Sequence, residues 1–142
     1  MTDFDRKALL NSVARHEGLR LKPYTDTVGK LTIGFGRNLE DKGLSKKEAA
    51  LLLQHDLEDA ERECLNAFAW FSALDGPRQT VLIEMCLNLG LRKLIGFGQT
   101  LKAVSERRYE DAAKQMLRSK WAQQVGQRAV TLAGIMRTGA YP

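Results

Sequence analysis

The sequence predicts an α+β fold in which a small β-containing N-terminal lobe is joined by a long helix to a larger helical lobe. Three observations carry that reading. Across residues 18 to 38, Gly18, Pro23, Gly29, Gly34 and Gly36 break helical periodicity, while Leu31, Ile33 and Phe35 alternate with Thr32 and glycine. From Ser45 an apolar stripe runs on for about five helical turns. Beyond Asp75 the apolar residues recur at helical spacing, with glycines between the runs. A chain of 142 residues suits a single domain. Its small lobe is expected at about 15–60, and its helical lobe at about 61–142 together with the N-terminal helix.

The elements follow in order. Residues 3 to 17 read as a helix that Asp3 can cap, with Phe4, Leu10, Val13, Ala14 and Glu17 near one face. Glu17 therefore ends an apolar stripe. The β-region is expected as a hairpin turning near Val28-Gly29. Ser45-Lys-Lys-Glu48 is a capping box, and Ala49, Leu52, Leu53, Leu57, Ala60 and Cys64 continue the stripe of a helix long enough to bridge two lobes. Asp75-Gly-Pro77 opens the next helix, apolar at Val81, Leu82, Met85, Cys86 and Leu89, and Gly90 is placed to stop it. Shorter helical patterns follow at about 97–106, 109–119 and 126–137, with Trp121 as a bulky anchor.

Composition narrows the function classes. The chain is 44% hydrophobic and 27% charged, an ordinary globular balance. Twenty-two Lys and Arg against 17 Asp and Glu give a formal net charge of +5, which attracts polyanions such as nucleic acid, anionic lipid or an acidic cell wall. The basic residues are scattered and mixed with acids, whereas a nucleic-acid module tends to gather them into one stripe. Cys64 and Cys86 form no CxxC pair and fall in apolar helical patterns, so two free buried thiols are expected. Neither a signal-peptide pattern at the N-terminus nor an apolar run near membrane-spanning length is present, and residence in the cytoplasm until release is the expectation.

Chemistry concentrates at two carboxyls. A carboxyl at the end of an apolar helix face meets desolvation, which favours its protonated form and suits Glu17 to act as a general acid. Nine residues on, Asp26 sits among Tyr24, Thr25 and Thr27, polar surroundings that suit a charged carboxylate. Two carboxyls in contrasting environments are the working pair of a glycosidase. Spacing alone is a weak signal, since a Glu and an Asp at this separation are more often a surface charge and a turn residue.

The residues around the pair are more specific. His16-Glu17-Gly18-Leu19-Arg20, then Tyr24-Thr25-Asp26, then Leu31-Thr32-Ile33-Gly34-Phe35-Gly36 resemble the active-site segment of phage-type lysozymes in order and spacing. Asn88-Leu-Gly90, Ile95-Gly-Phe97, Tyr109-Glu-Asp-Ala-Ala113, Ser119-Lys-Trp121, Gln127-Arg-Ala129 and Met136-Arg-Thr-Gly139 resemble the same family's helical lobe in the same order. Nearly the whole chain is covered.

The resemblance implies a lysozyme-like fold and an endolysin that hydrolyses the β-1,4 linkage between N-acetylmuramic acid and N-acetylglucosamine in bacterial peptidoglycan, with inversion. It implies that Glu17 protonates the glycosidic oxygen, that Asp26 supports the developing positive charge and directs water, and that Thr32 helps hold that water. If Leu31, Ile33 and Phe35 face the small lobe's core, Thr32 points the other way, toward a cleft. Gly34 and Gly36 leave backbone open to a sugar chain, and Gly34, Phe35 and Asn88 are expected among the substrate contacts, Asn88 at the acetamido group. Arg128 matches an arginine that orients the catalytic glutamate. One departure stands out: Arg37 occupies a position where relatives often carry His, which removes whatever pairing that His makes.

The resemblance further implies glycan strands as the partner, a monomer, no metal or organic cofactor, no nucleic-acid partner and no stable membrane insertion. Host lysis after holin-dependent release to the wall, or carriage in the virion, are the expected settings. A lytic transglycosylase acting on the same bond and a catalytically silent wall-binding or virion protein are the alternatives. The remaining candidates read as structural: His16 and His55 as solvated helix residues, Trp70 and Phe71 as packing at the lobe junction, Trp121 as core.

Overall fold

The computed structural model describes all 142 residues, which form two compact units, Met1–Ala50 and Leu51–Pro142. The expected α+β class is found. The N-terminal unit holds helix α1 (Asp3–Glu17) and a three-stranded antiparallel sheet of β1 (Arg20–Thr25), β2 (Leu31–Gly34) and β3 (Arg37–Asn38), in the order β1-β2-β3. Helix α2 (Lys46–Ala67) begins in this unit and continues into the next. The C-terminal unit adds a 3-10 turn (Phe71–Ala73) and helices α3 (Gly76–Leu89), α4 (Leu91–Ile95), α5 (Gly98–Ser105), α6 (Tyr109–Arg118), α7 (Lys120–Val125) and α8 (Gln127–Thr138). None of the helices is long and apolar enough to cross a membrane.

Local chemistry explains most boundaries. Helix α1 has the expected span, but its N-cap is Thr2 rather than Asp3. The Thr2 hydroxyl accepts the Asp5 N–H, and the Asp5 carboxylate accepts the Thr2 N–H, a reciprocal box one residue earlier than expected. Helix α2 starts as expected: Ser45 Oγ accepts the Glu48 N–H at 3.1 Å and Glu48 Oε1 accepts the Ser45 N–H at 2.9 Å. Asp75 caps α3 with Pro77 in its first turn, and Gly90, at φ +83°, ends it. Helices α4 and α7, of 5 and 6 residues, are not anticipated, being shorter than the window in which an apolar period can be counted.

The hydrophobic core lies in the C-terminal unit. Val81, Leu82 and Met85 of α3, Met116 of α6 and Met136 of α8 are fully buried, each side chain contributing about 1.5–3 kcal/mol of transfer free energy. Helix α6 packs against α5 and α8, and α3 against α8. Trp70 stacks on Phe68 at 5.0 Å, Phe71 is buried, and Phe97 meets Trp121 edge-on at 6.1 Å. Helix α2 contributes only Ala60 and Cys64, whereas Leu51, Leu52, Leu53 and Leu57 are exposed.

Cys64 and Cys86 are free and buried, as expected. Burial first, then the neighbouring Cys86, pushes the Cys64 thiol up to about 12. Burial and the adjacent Glu63 carboxylate raise Cys86 as well, so both thiols stay protonated and unreactive at neutral pH.

Candidate active site

Asp26 opens the turn that joins β1 to β2. Its Oδ1 accepts two backbone N–H groups, from Val28 at 2.9 Å and from Lys30 at 2.8 Å. Its own N–H donates to the Lys30 carbonyl at 2.8 Å, and Gly29, at φ +87°, lets the chain reverse within five residues, at the position expected for the hairpin turn. The aspartate thus builds the turn with one oxygen and is oriented by it. The second oxygen is left for other partners.

Thr32 is tied to the same turn. Its hydroxyl donates to the Lys30 carbonyl at 2.9 Å, so a single peptide unit holds both Asp26 and Thr32. The side of the sheet is the reverse of the one expected. Thr32 is buried, at 3% exposure, while Leu31 and Phe35 are 40% and 51% exposed and Ile33 is half-buried. Alternation is kept, but β2 is the central strand, and in this unit its covered face is the one carrying Thr32. The hydroxyl proton is committed to Lys30, which leaves the Thr32 oxygen its acceptor capacity.

Glu17 is the last residue of α1, before Gly18 ends the helix at φ +73°. The apolar surroundings expected around it are not provided within its own unit. Glu17 is exposed, and α1 buries none of its residues: Phe4, Leu9, Leu10 and Val13 all remain exposed. Leu9, Leu10, Val13 and Ala14 join Met1, Arg6 and Phe35 in lining an apolar groove of about 490 Å³. The Glu17 carboxyl instead lies over the backbone of Gly36, in the loop between β2 and β3. Strand β2 therefore carries Thr32 near one end and leads into the seat of Glu17 at the other.

The loop Gly34-Phe35-Gly36 makes a second hairpin beyond the one expected. Ile33 pairs with Arg37 across it, and Gly34 and Gly36 take φ of +71° and +75°, which side-chain-bearing residues rarely adopt. Arg37, where relatives often have His, makes its own pairing. Its Nη1 donates to Glu48 Oε1 at 3.1 Å and to the Gly43 carbonyl at 3.1 Å, and Nη2 bonds Glu48 Oε2. One glutamate thus closes the cap of α2 and grips the strand that follows the Gly36 loop.

That pairing makes stability depend on pH in a defined window. The Arg37 guanidinium, then the Ser45 N–H and hydroxyl, hold the Glu48 carboxyl down from 4.5 to about 2. A depressed folded-state value means the contribution is complete above about 4.5 and is lost as the pH falls toward about 2, because the unfolded chain takes up the proton first. Arg37→Gln is expected to lower the thermal midpoint at neutral pH, with the gap from the unsubstituted protein narrowing through that acid window. A gap that stays constant down to the lower limit would show that the ion pair contributes no pH-dependent stability.

The other expected site residues lie in the C-terminal unit. Asn88, on the last turn of α3, accepts the Trp121 indole N–H at its Oδ1 at 2.8 Å, which fixes the amide's orientation and satisfies a buried tryptophan. Arg128 donates through Nε to Glu84 Oε2 at 2.8 Å. Sequence reasoning gave Arg128 no partner in this unit, because Glu84 is 44 residues away.

Near Asn88 and Trp121 the unit has a concavity of about 690 Å³ lined by Phe97, Thr100, Gln115, Ser119 and Trp121, with Lys93, Arg118 and Lys120 also along it. Hydroxyls, three amides and three cations give it the chemistry to hold a polar, anionic ligand. The sequence signal for it was indirect, in the glycine-punctuated run Ile95-Gly-Phe97-Gly98 before α5.

Residues 14–138 match the phage lysozyme family. The chain belongs to that family. Probable T4-type lysozyme 1 of Dictyostelium discoideum is 26% identical over 152 aligned positions, covering 87% of this chain and 89% of the relative. Probable T4-type lysozyme 2 of the same organism is 25% identical, with the same coverage. The pre-baseplate central spike protein Gp5 of Enterobacteria phage T4 is 30% identical over 96% of this chain, which spans only 29% of that protein. The matched span of this phage-lysozyme chain contains Glu17, Asp26, Thr32, Asn88 and Arg128.

Proposed function

We propose that this phage-lysozyme chain is an N-acetylmuramidase, hydrolysing the β-1,4 linkage of the peptidoglycan glycan strand by acid-assisted attack of water. The observation that carries the reading is the pair of carboxyls in the N-terminal unit. Glu17 presents its group at a helix end over bare backbone, and Asp26 is oriented by two backbone N–H bonds while keeping one oxygen open. Glu17 donates the proton to the leaving oxygen. Asp26 stabilises the positive charge developing on the sugar and steers water, and Thr32, tied to the same turn through the Lys30 carbonyl, supports it from the covered side.

In a single displacement the glycosidic oxygen takes the Glu17 proton as the C–O bond breaks. Water forms the new bond from the opposite face and passes its proton to Asp26. The β-linked strand then yields an α-configured reducing end. Within the C-terminal unit, Asn88 presents an amide fixed by Trp121, and the concavity lined by Lys93, Arg118 and Lys120 offers cationic groups suited to the acidic substituents of a glycan. Release to the wall of a host cell and lysis are the setting this chemistry fits.

The test is product analysis of purified peptidoglycan. Mass spectrometry should find hydrated reducing ends at N-acetylmuramic acid, and NMR of the first product, before mutarotation, should show the α-anomer. A 1,6-anhydro end would mean a transglycosylase, a β-anomer would recast Asp26 as a covalent nucleophile, and intact strands would leave a wall-binding protein without activity.

A further inference from the structure

The Glu17 carboxyl occupies the space in which a side chain at position 36 would begin. A Cβ placed on Gly36 would stand 2.5 Å from Glu17 Oε2, 2.9 Å from its Cδ and 3.4 Å from its Cγ. Carbon and oxygen do not share such distances without displacement, and the neighbours involved are the reacting group itself and the carbon that bears it. At Gly18, Gly29 and Gly34, the other left-handed glycines near the carboxyls, the same construction meets nothing within 4 Å. The close approach is specific to Gly36.

We propose that Gly36 is a positioning residue, holding the Glu17 carboxyl in its working orientation by offering bare backbone as its seat. The proposal rests on Glu17 as the acid of the function proposed above. The seat is built from fixed parts. Gly36 closes a three-residue loop in a left-handed conformation, and the next residue, Arg37, is paired in the sheet with Ile33 and anchored to Glu48. On the other side, only Gly18 and Leu19 separate Glu17 from β1, whose Arg20 pairs with Gly34, so its Cα is tethered close to the loop.

A methyl group at position 36 therefore pushes the carboxyl rather than the backbone. Restoring ordinary contact requires a shift of about 1 Å, a misplacement that can cost about 100-fold in rate. The substrate still meets the same surfaces, so the loss falls on kcat. A second reason to keep glycine here, the φ of +75°, is conformational and has nothing to do with Glu17. Gly43 separates the two, since it has a φ of +61° and its nearest neighbour would be a backbone oxygen 3.9 Å away.

Gly36→Ala and Gly43→Ala are compared in the full chain by steady-state kinetics on soluble glycan fragments, by thermal midpoint and by the ¹³C resonance of Glu17 Cδ at one fixed pH. Gly36→Ala is expected to lower kcat about 100-fold with KM within about twofold, and to move the Cδ resonance. Gly43→Ala is expected to lose some thermal stability and leave kcat and the resonance unchanged. An unmoved Glu17 resonance in folded Gly36→Ala, or an equal kcat loss in Gly43→Ala, would overturn the proposal.

Should Gly36→Ala fail to fold, the same substitution is made with Glu17→Ala. Removing the carboxyl clears the space, so the cost of Gly36→Ala in thermal midpoint should be smaller in that background than in the unsubstituted chain. Equal cost in both would leave only backbone strain and sink the idea. The resonance and the midpoints need no activity, so a chain that cuts no glycan would refute the proposed function while these readouts still judged the seat.

Discussion

Glu17→Gln is expected to remove glycan cleavage, by at least about 100-fold and up to about 10,000-fold in kcat, the range a positioned general acid supplies. The amide has the shape of the carboxyl and lacks its transferable proton. Because Glu17 is exposed at the end of α1 and forms no ion pair, the substitution should leave the thermal midpoint within about 1 °C and the binding of glycan fragments intact. Activity and stability are thereby separated in one variant. Asp26→Asn should also lose activity, but the amide cannot be assumed to keep the turn. Asp26 Oδ1 accepts the Val28 and Lys30 N–H groups, and the asparagine retains those bonds only if its oxygen faces them. Measurement of reducing ends on purified peptidoglycan decides the first case: a Glu17→Gln protein with a tenth or more of the original rate would exclude Glu17 as the proton donor.

What could be read from the sequence was whatever is written locally. The Ser45–Glu48 box, the Asp75 cap with Pro77 behind it, the Gly90 stop and the turn at Val28-Gly29 each involve residues within four positions of one another, and all appear in the fold. Periodicity gave relative orientation without saying which side is covered. It correctly separated Thr32 from Leu31 and Ile33, yet the covered side of β2 carries Thr32. Likewise the apolar face of α1 was legible, but the N-terminal unit by itself leaves Leu10 and Val13 exposed, and Glu17 with them.

Contacts made across loops were out of reach. Arg37 stands out as a departure, and Glu48 as half of a capping box, but nothing in the sequence joins residues 11 positions apart into one bidentate pair. The seat of Glu17 has the same character. By sequence Gly36 is open backbone for a sugar, whereas the space above it is taken by a side chain from 19 positions earlier, a coincidence of helix end and hairpin loop that only the folded structure reveals.

Arg78→Ala is expected to produce the largest loss of stability of any surface-proximal substitution, about 3 kcal/mol, because one guanidinium closes three elements of the C-terminal unit. From the first turn of α3, Nε donates to the Met136 carbonyl at 2.7 Å and Nη2 to the Arg137 carbonyl at 3.0 Å, satisfying two of the acceptors that the end of α8 leaves open. Nη1 meets Asp75 Oδ1 at 3.1 Å, and the guanidinium lies 3.6 Å from the centre of the Tyr109 ring at the start of α6. The side chain is only 14% exposed, so water replaces these partners poorly when it is truncated. Bonds from a charged donor contribute about 1.5–3 kcal/mol each, and a cation over an aromatic face about 0.5–1 kcal/mol more. Partial rehydration offsets part of that sum, leaving the expected figure. Both tryptophans, Trp70 and Trp121, lie in this unit, so their fluorescence in a urea titration reports its unfolding directly. Arg78→Lys should recover less than half of the loss, since an ammonium cannot span two carbonyls and an aromatic face in one plane. Gly139→Ala offers an independent approach to the same hub: a Cβ there would stand 2.8 Å from Arg78 Nη1, and the residue holds φ +71° at the end of α8. Its cost and that of Arg78→Ala should be less than additive in the double variant, since either change releases the same guanidinium. Fully additive costs, or an Arg78→Ala midpoint indistinguishable from that of the unsubstituted protein, would show that the hub does not bind α3 to α8.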